Sequence, residues 1–344
     1  MADGGTEPPP PFAGVRRAPP GVPAGHVGTP ARGLLRRTAM ADPWVLILAG
    51  GDGTRLQVVT RAITGAPIPK QYCPLLNGRS LLETTIARAL ALTPPARVLV
   101  VVNRDHLPVA TPQLGPLGAA NVLVQPRNRD TGPGVAFSLA HLARRDPAAA
   151  CVVFPSDHWI TDRRAFLAYV REALRIVARL PARVVLLGVE PDRPEPGFGY
   201  IEPGAAVRIP DTAGVHRVAA FREKPTRADA EALVARGGLW NSFVMVFRLP
   251  AVLRLLTRLR PADLQAMQAL VSRPALADAL YEHAVCGWNF SADFLARIPR
   301  HLVVLRTAGT GWSDWGTPEA VARTFALLRR RPPWPDAGSR TAVA

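Results

Sequence analysis

The first residues whose types and spacing could do chemistry lie between Trp44 and Leu76. There the apolar run Val45-Leu46-Ile47-Leu48-Ala49 ends in Gly50-Gly51-Asp52-Gly53-Thr54-Arg55-Leu56, and Lys70 follows inside Pro69-Lys70-Gln71. A buried strand feeding a glycine-rich loop presents backbone N–H groups to a phosphate, because glycine accepts positive φ and lets a ligand approach the backbone closely. Arg55 and Lys70 would add fixed positive charge. Two common phosphate loops are excluded. No lysine follows Gly53 at the spacing of a P-loop, and Leu56 stands where a dinucleotide fingerprint needs its third glycine. Read alone, the glycines also fit a tight turn after a strand.

Other segments have chemical potential of their own. Gln125-Pro126-Arg127-Asn128-Arg129-Asp130-Thr131-Gly132-Pro133-Gly134 follows an apolar run and opens a helical pattern. Such a turn can read a base edge through Gln125 and backbone groups, or can simply cap a helix. Pro155-Ser156-Asp157-His158 ends another apolar run. A carboxylate there suits Mg²⁺, which takes one or two protein carboxylates plus phosphate oxygens, and it equally suits a turn. No Ser/His/Asp or Cys/His arrangement for nucleophilic catalysis stands out.

Gly-Gly-Asp-Gly-Thr-Arg-Leu with Pro-Lys-Gln downstream resembles the sugar-phosphate nucleotidyltransferases, and in detail their mannose-1-phosphate guanylyltransferase branch. Further motifs follow in the family's order. They are Pro155-Ser156-Asp157-His158, Gly197-Phe198-Gly199-Tyr200-Ile201-Glu202, Phe221-Arg222-Glu223-Lys224-Pro225, Leu239-Trp240-Asn241-Ser242 and Trp312-Ser313-Asp314-Trp315-Gly316-Thr317-Pro318. The resemblance covers nearly all of the chain except its two ends. It implies a nucleotide site made by Ala49, Gly50, Gly51, Gly53, Thr54, Arg55, Lys70, Gln125, Arg129, Thr131 and Ser156. It implies a sugar-phosphate site at Gly199, Tyr200, Glu223, Lys224 and Asn241. Asp157 and Asp314 would hold Mg²⁺, and catalysis would fall to Arg55, Lys70, Asp157 and Lys224.

The implied reaction joins an NTP, best GTP, to a sugar 1-phosphate, best mannose 1-phosphate, and releases pyrophosphate. The 1-phosphate oxygen is already ionised near neutral pH, so no general base is required. Other expectations within reach are UTP or dTTP with glucose 1-phosphate, or a catalytically silent nucleotide-sugar-binding protein. Two departures bear on specificity. Gln57-Val58-Val59-Thr60 stands where the branch usually has Trp-Pro-Leu-Ser. Arg129-Asp130-Thr131-Gly132-Pro133-Gly134 replaces Arg-Asn-Thr-Ala-Pro-Ala. The isomerase domain of bifunctional members is not seen, so a single activity is expected.

Composition narrows the class. The 344 residues are 48% hydrophobic, enough for a sizeable core. The formal net charge is +16, yet of 42 basic residues only Lys70 and Lys224 are lysine, and both sit in candidate phosphate motifs. A compact ammonium suits a tight polyphosphate site better than a planar guanidinium. With 6% aromatics and no basic cluster interleaved with them, nucleic acid is not an expected partner. Cys73, Cys151 and Cys286 are widely spaced and odd in number, which argues against a disulfide framework and for the cytoplasm. No apolar run reaches membrane-span length, so no membrane role is expected; a homo-oligomer is compatible with the pattern.

The elements that must position these residues form an α/β series, a Rossmann-like, mainly parallel mixed sheet flanked by helices. Strands are predicted at Val45–Ala49, Val98–Val102, Asn121–Val124, Cys151–Phe154 and Val184–Val189. Helices are predicted at Ser80–Leu92, with a Ser80/Glu83 capping box, and at Gly134–Arg145 and Arg163–Ala178. A smaller sugar-binding β/α portion follows, with strands at Tyr200–Glu202, Val215–Phe221, Leu239–Phe247 and His301–Leu305. Residues 250–298 should be mostly helical, and Pro318–Arg330 should be a closing helix. The expected organisation is a disordered Pro/Gly/Arg-rich extension at 1–39, a catalytic domain at 40–331 and a flexible tail at 332–344.

Overall fold

The computed structural model describes residues 42–334. The expected extension at 1–39, and the tail from residue 335 onward, lie outside the described residues. Four runs of Val, Leu and Ile form the parallel half of the sheet: β1 (Trp44–Leu48), β2 (Val98–Asn103), β3 (Val122–Gln125) and β4 (Ala150–Pro155), in the order β3-β2-β1-β4. They contain no polar alternation because both faces are covered. Alternate residues of β1 confirm this. Leu46 packs on one side with Val135 and Leu139, whereas Val45 and Ile47 pack on the other with Leu82, Ile86 and Val170.

Helices α1 (Gln57–Thr64), α2 (Leu81–Leu90), α3 (Thr131–Arg145) and α4 (Arg163–Arg179) accompany these strands. The Ser80/Glu83 capping box forms as expected: Ser80 Oγ accepts from the Glu83 N–H, and the Glu83 carboxylate accepts from the Ser80 N–H. Asp162 caps α4 through the Ala165 N–H.

The second half extends the same sheet. After the short β5 (His158–Ile160) come β6 (Val184–Val189), β7 (Gly199–Ala206), β8 (Val215–Glu223), β9 (Leu239–Arg248) and β10 (Leu302–Thr307). The nine-stranded order is β3-β2-β1-β4-β9-β6-β10-β8-β7. Strand β9 lies antiparallel between β4 and β6, with Val246 opposite both Val152 and Val185. The sheet is therefore parallel from β3 to β4 and largely antiparallel beyond β4. Helices α5 (Arg227–Ala235), α6 (Leu249–Leu259), α7 (Pro261–Ser272), α8 (Ala277–Ala284) and α9 (Pro318–Leu327) complete the set used below. No helix among the described residues is long and apolar enough to cross a membrane.

Two findings go beyond the sequence pattern. Strand β11 (Trp312–Asp314) pairs antiparallel with β5, placing Asp314 opposite His158 in a separate two-stranded sheet. Strands of three residues are too short to show periodicity. Trp334 packs edge-on against Phe325, with ring centroids 5.8 Å apart.

The structure also explains why glycines replace the alanines at the start of α3. A Cβ on Gly132 would overlap the Trp288 indole, and one on Gly134 would sit 3.1 Å from Gln125 Oε1. The space of the first alanine is taken by Trp288 from the segment packed over this helix, and that of the second is narrowed by Gln125 at the end of β3. Gly132→Ala should therefore destabilise the protein by about 1–3 kcal/mol, the usual cost of overpacking. Thermal unfolding should show a lowered Tm, and a companion Trp288→Ala substitution should remove the steric part of that loss.

Candidate active site

A cleft of about 370 Å³ opens beyond the C-terminal ends of β1 and β4 and is walled on its far side by β7, β8 and β9. This is where open α/β sheets place their ligands. The glycine loop forms its near edge. Gly53 has φ 59°, and a Cβ there would lie 2.8 Å from the Lys70 backbone nitrogen. Glycine is thus required for the loop to pass the Pro69-Lys70 turn. The loop's carbonyls are tied down. Tyr72 Oη donates to Ala49 O at 2.7 Å, Asn103 Nδ2 to Gly50 O at 2.6 Å, and Gln71 Nε2 to Gly51 O at 2.6 Å. The N–H groups of Gly50, Gly51, Asp52 and Gly53 have no acceptor among the described residues. Anchored carbonyls and unspent N–H groups are what an anion-binding loop needs.

Lys70 does not line the cleft itself but lies buried against two carboxylates that do. Its side chain is buried, and Nζ lies 3.0 Å from Asp157 Oδ2, 3.2 Å from Asp314 Oδ1 and 2.9 Å from the Trp315 carbonyl. Burial works against the ammonium charge, but the two carboxylates outweigh it and hold the Lys70 pKa above its ordinary value. Burial likewise opposes ionisation of Asp157, and Lys70 overcomes it, drawing Asp157 down to about 2. The carboxylates come from strand β11 and from the turn between β4 and β5, so the β5–β11 pairing is what joins them.

Asp157, His158 and Asp314 each offer one ligand atom, all within 4.8 Å of one another. Two carboxylates close together at the cleft surface are a donor set that fits a hard divalent cation. Arg55 is exposed on the cleft wall, close to Gly316, and has no carboxylate partner among the described residues.

The 125–134 turn divides in two. Gln125 lines the cleft. Asn103 Nδ2 is committed to Gly50 O, so its Oδ1 faces Gln125, and Gln125 Nε2 donates to it at 3.1 Å. That chain of amides leaves Gln125 Oε1 buried and without a donor. Thr131 and Ser156 also line the cleft. Arg129 does not join them: its guanidinium donates to Val285 O at 2.6 Å and pairs with Glu282 at 2.9 Å. Ala49, Gly53 and Thr54 shape the glycine loop without lining the cleft.

At the other end, Gly199, Glu223, Lys224 and Asn241 line the cleft together. A Cβ on Gly199 would lie 2.6 Å from Glu223 Oε2, so the bare glycine gives that carboxylate its room. Burial raises the Glu223 pKa, Lys224 counteracts it, and Asp130 adds to the rise. Tyr200 is placed differently. It is fully buried beneath the wall, and its hydroxyl accepts from Trp240 Nε1 at 3.0 Å and from the Glu195 N–H at 2.8 Å. Tyr200 therefore supports the wall rather than touching the cleft.

Sequence reasoning missed several lining residues. Phe243, Asn289, Ser291 and Trp312 reach the cleft, and Asn103 stands behind it. Asn103 ends β2 as Asp157 follows β4, and a polar residue at a parallel strand's C-terminal end is a readable signal. Asn289 and Ser291 had none. Asp130 (φ 68°), Lys224 (φ 46°) and Phe243 (φ 55°) line the cleft in the left-handed region that disfavours side chains. Such strain concentrates where surrounding structure fixes a side chain for function.

Comparison with known proteins agrees with this geometry. The model of the family described as Nucleotidyl transferase matches residues 44–331. The xanthan biosynthesis protein XanB of Xanthomonas campestris pv. campestris (strain B100) is 35% identical over 232 residues, covering 67% of this chain and 47% of that protein. A mannose-1-phosphate guanylyltransferase of Klebsiella pneumoniae is 33% identical over 235 residues, 66% of this chain and 47% of its own. This chain spans about half the length of the curated relatives it matches. Among solved structures, one described as mannose-1-phosphate geranyltransferase from Thermus thermophilus superposes with a TM-score of 0.70 at 30% identity, covering 83% of this chain and 80% of the other. With a family match that spans the whole described sheet and the cleft above it, the chain belongs to the nucleotidyl transferase family.

Proposed function

We propose that this chain transfers a nucleotidyl group from an NTP to a sugar 1-phosphate in the cytoplasm, with GTP and mannose 1-phosphate as the preferred pair. One observation carries the reading. The Lys70 ammonium is buried against Asp157 and Asp314, and those two carboxylates line the cleft between a loop of unspent N–H groups and a wall bearing Glu223, Lys224 and Asn241. A triphosphate belongs against the first and a sugar phosphate against the second.

The chemistry then consists of alignment and charge neutralisation. The glycine loop and Arg55 hold the triphosphate. Lys224 positions the 1-phosphate, and Glu223 and Asn241 accept and donate at sugar hydroxyls. An anionic 1-phosphate oxygen attacks the α-phosphorus as pyrophosphate leaves in line. Lys70 stabilises the charge that gathers between the two phosphates. Asp157 and Asp314 would hold Mg²⁺, which when bound supplies Lewis-acid neutralisation at the reacting phosphate. Gln125 Oε1 and the Asp130 carboxylate accept without donating. That favours a base edge carrying neighbouring N–H donors, which guanine has.

Pyrophosphate release by the full chain, with mannose 1-phosphate and each of GTP, UTP, dTTP and ATP, tests the reading. GTP should support the fastest release. Faster release with another nucleotide would keep the reaction and reject the base, and no release across a panel of sugar phosphates would reject the reaction.

Lys70→Met should lower kcat by about 10²–10³. Lys70→Arg should not restore it, because a planar guanidinium does not fit a site shaped for an ammonium. Steady-state kinetics beside a circular-dichroism melt separates this loss from unfolding.

Glu223 should act as a carboxylate when it accepts from the sugar. Its pKa is raised above 4.5, so sugar-phosphate KM should climb as pH falls, starting at a higher pH than an ordinary glutamate would give. Glu223→Gln should raise KM and flatten that acidic limb in a pH series.

A further inference from the structure

His158 stands beside the two carboxylates and offers a third ligand atom. Trp312 decides whether that atom is free to bind. The Trp312 indole Nε1 lies 3.2 Å from His158 Nδ1, and the two rings meet nearly at right angles, at 84°. An indole N–H donates and has no lone pair to offer. His158 Nδ1 must therefore be unprotonated. A neutral imidazole has one N–H, so the proton resides on Nε2, which lies 3.8 Å from Asp157 Oδ1. Coordination through Nε2 would need that proton moved to Nδ1, and the partly buried Trp312 N–H would lose its acceptor.

Both rings are pinned. Strands β5 and β11 pair through Trp312 with Ile160 and Asp314 with His158. The buried Arg88 donates to the His158 carbonyl at 3.2 Å. Trp312 packs against Phe198 and Trp240, with centroids 5.6 and 5.9 Å away.

We infer that Trp312 locks His158 in its Nε2–H form and so withholds the imidazole from the cation, leaving Asp157 and Asp314 as an all-oxygen protein donor set. The inference rests on the reading of this cleft as a cation-assisted nucleotidyl-transfer site. Trp312 is a positioning residue here: it acts through His158 on which metals the site accepts. An oxygen-only set favours Mg²⁺ and Mn²⁺, whereas an available imidazole would raise affinity for Zn²⁺.

Long-range ¹H–¹⁵N NMR of the histidines in the full chain, at neutral pH, reads the tautomer directly. Wild-type His158 should show an unprotonated Nδ1 and a protonated Nε2, unchanged on adding Mg²⁺. Trp312→Phe keeps an aromatic ring but removes the donor. Calorimetric titration of that variant should show Zn²⁺ binding roughly tenfold tighter than wild type, and adding His158→Gln should abolish the gain. A protonated Nδ1 in wild type, a metal-induced shift of Nε2 on adding Mg²⁺, or unchanged Zn²⁺ affinity in a folded Trp312→Phe protein would overturn the inference. Should that variant fail to fold, the wild-type spectrum alone decides. None of these readouts needs turnover, so an inactive protein with His158 in the Nε2–H form would reject the transfer reaction and leave the tautomer assignment standing.

Discussion

The architecture of the cleft depends on one buried ammonium. Lys70 Nζ touches a carboxylate from the β4–β5 turn, a carboxylate from β11 and a backbone carbonyl just after it. Two carboxylates brought this close repel each other and are costly to bury. The lysine between them makes the arrangement affordable, and they in turn keep the lysine charged inside the protein. Nearby features serve this contact. Gly53 lacks a side chain so that the Lys70 turn can pass beneath the loop, and the pairing of β5 with β11 delivers Asp314 to its place. Such a site holds balanced charge at the edge of the cleft.

Around this centre the chain accepts strain and crowding. Asp130, Lys224 and Phe243 line the cleft with left-handed backbones, and the Gly199 position leaves room for nothing beyond a hydrogen. Each holds a polar or aromatic group at the cleft surface that a relaxed backbone would aim elsewhere. Rigidity is supplied by the sheet. Because β9 pairs with β4 on one side and β6 on the other, the two ends of the cleft share one hydrogen-bonded platform.

The fold was largely legible because its signals are local. Runs of branched aliphatic residues between helical patterns mark two-sided strands, and the Ser80/Glu83 cap announces its helix within four residues. The mixed sheet flanked by helices is the outcome those signals imply. Where a cleft-lining residue follows a strand's C-terminal end, as Gly50 and Asp157 do, residue type and strand direction together pointed to it. What escaped depends on side-chain direction and distant partners. Arg129 reads as a cleft residue until Glu282 and the Val285 carbonyl draw it outward, and Tyr200 reads as a sugar contact until Trp240 claims its hydroxyl. Asn289 and Ser291 reach the cleft only because the segment over α3 folds back, which short-range pattern does not encode. The same fold-back explains Gly132, whose departure from alanine had no local reason.

The contact between Lys70 and Asp314 spans 244 positions of sequence. Loop-closure entropy delays such a contact relative to the local strand–helix units on either side. During synthesis the first sheet strands, the glycine loop and Lys70 emerge long before the strand that completes the cluster. Until then the lysine has only one of its two carboxylates, and the cleft lacks its full charge balance. Closing the cluster is thus a late step in folding: the ammonium gains its second carboxylate only after β11 has docked, so a chain stalled before that strand keeps a glycine loop and a lysine without their full complement of charge.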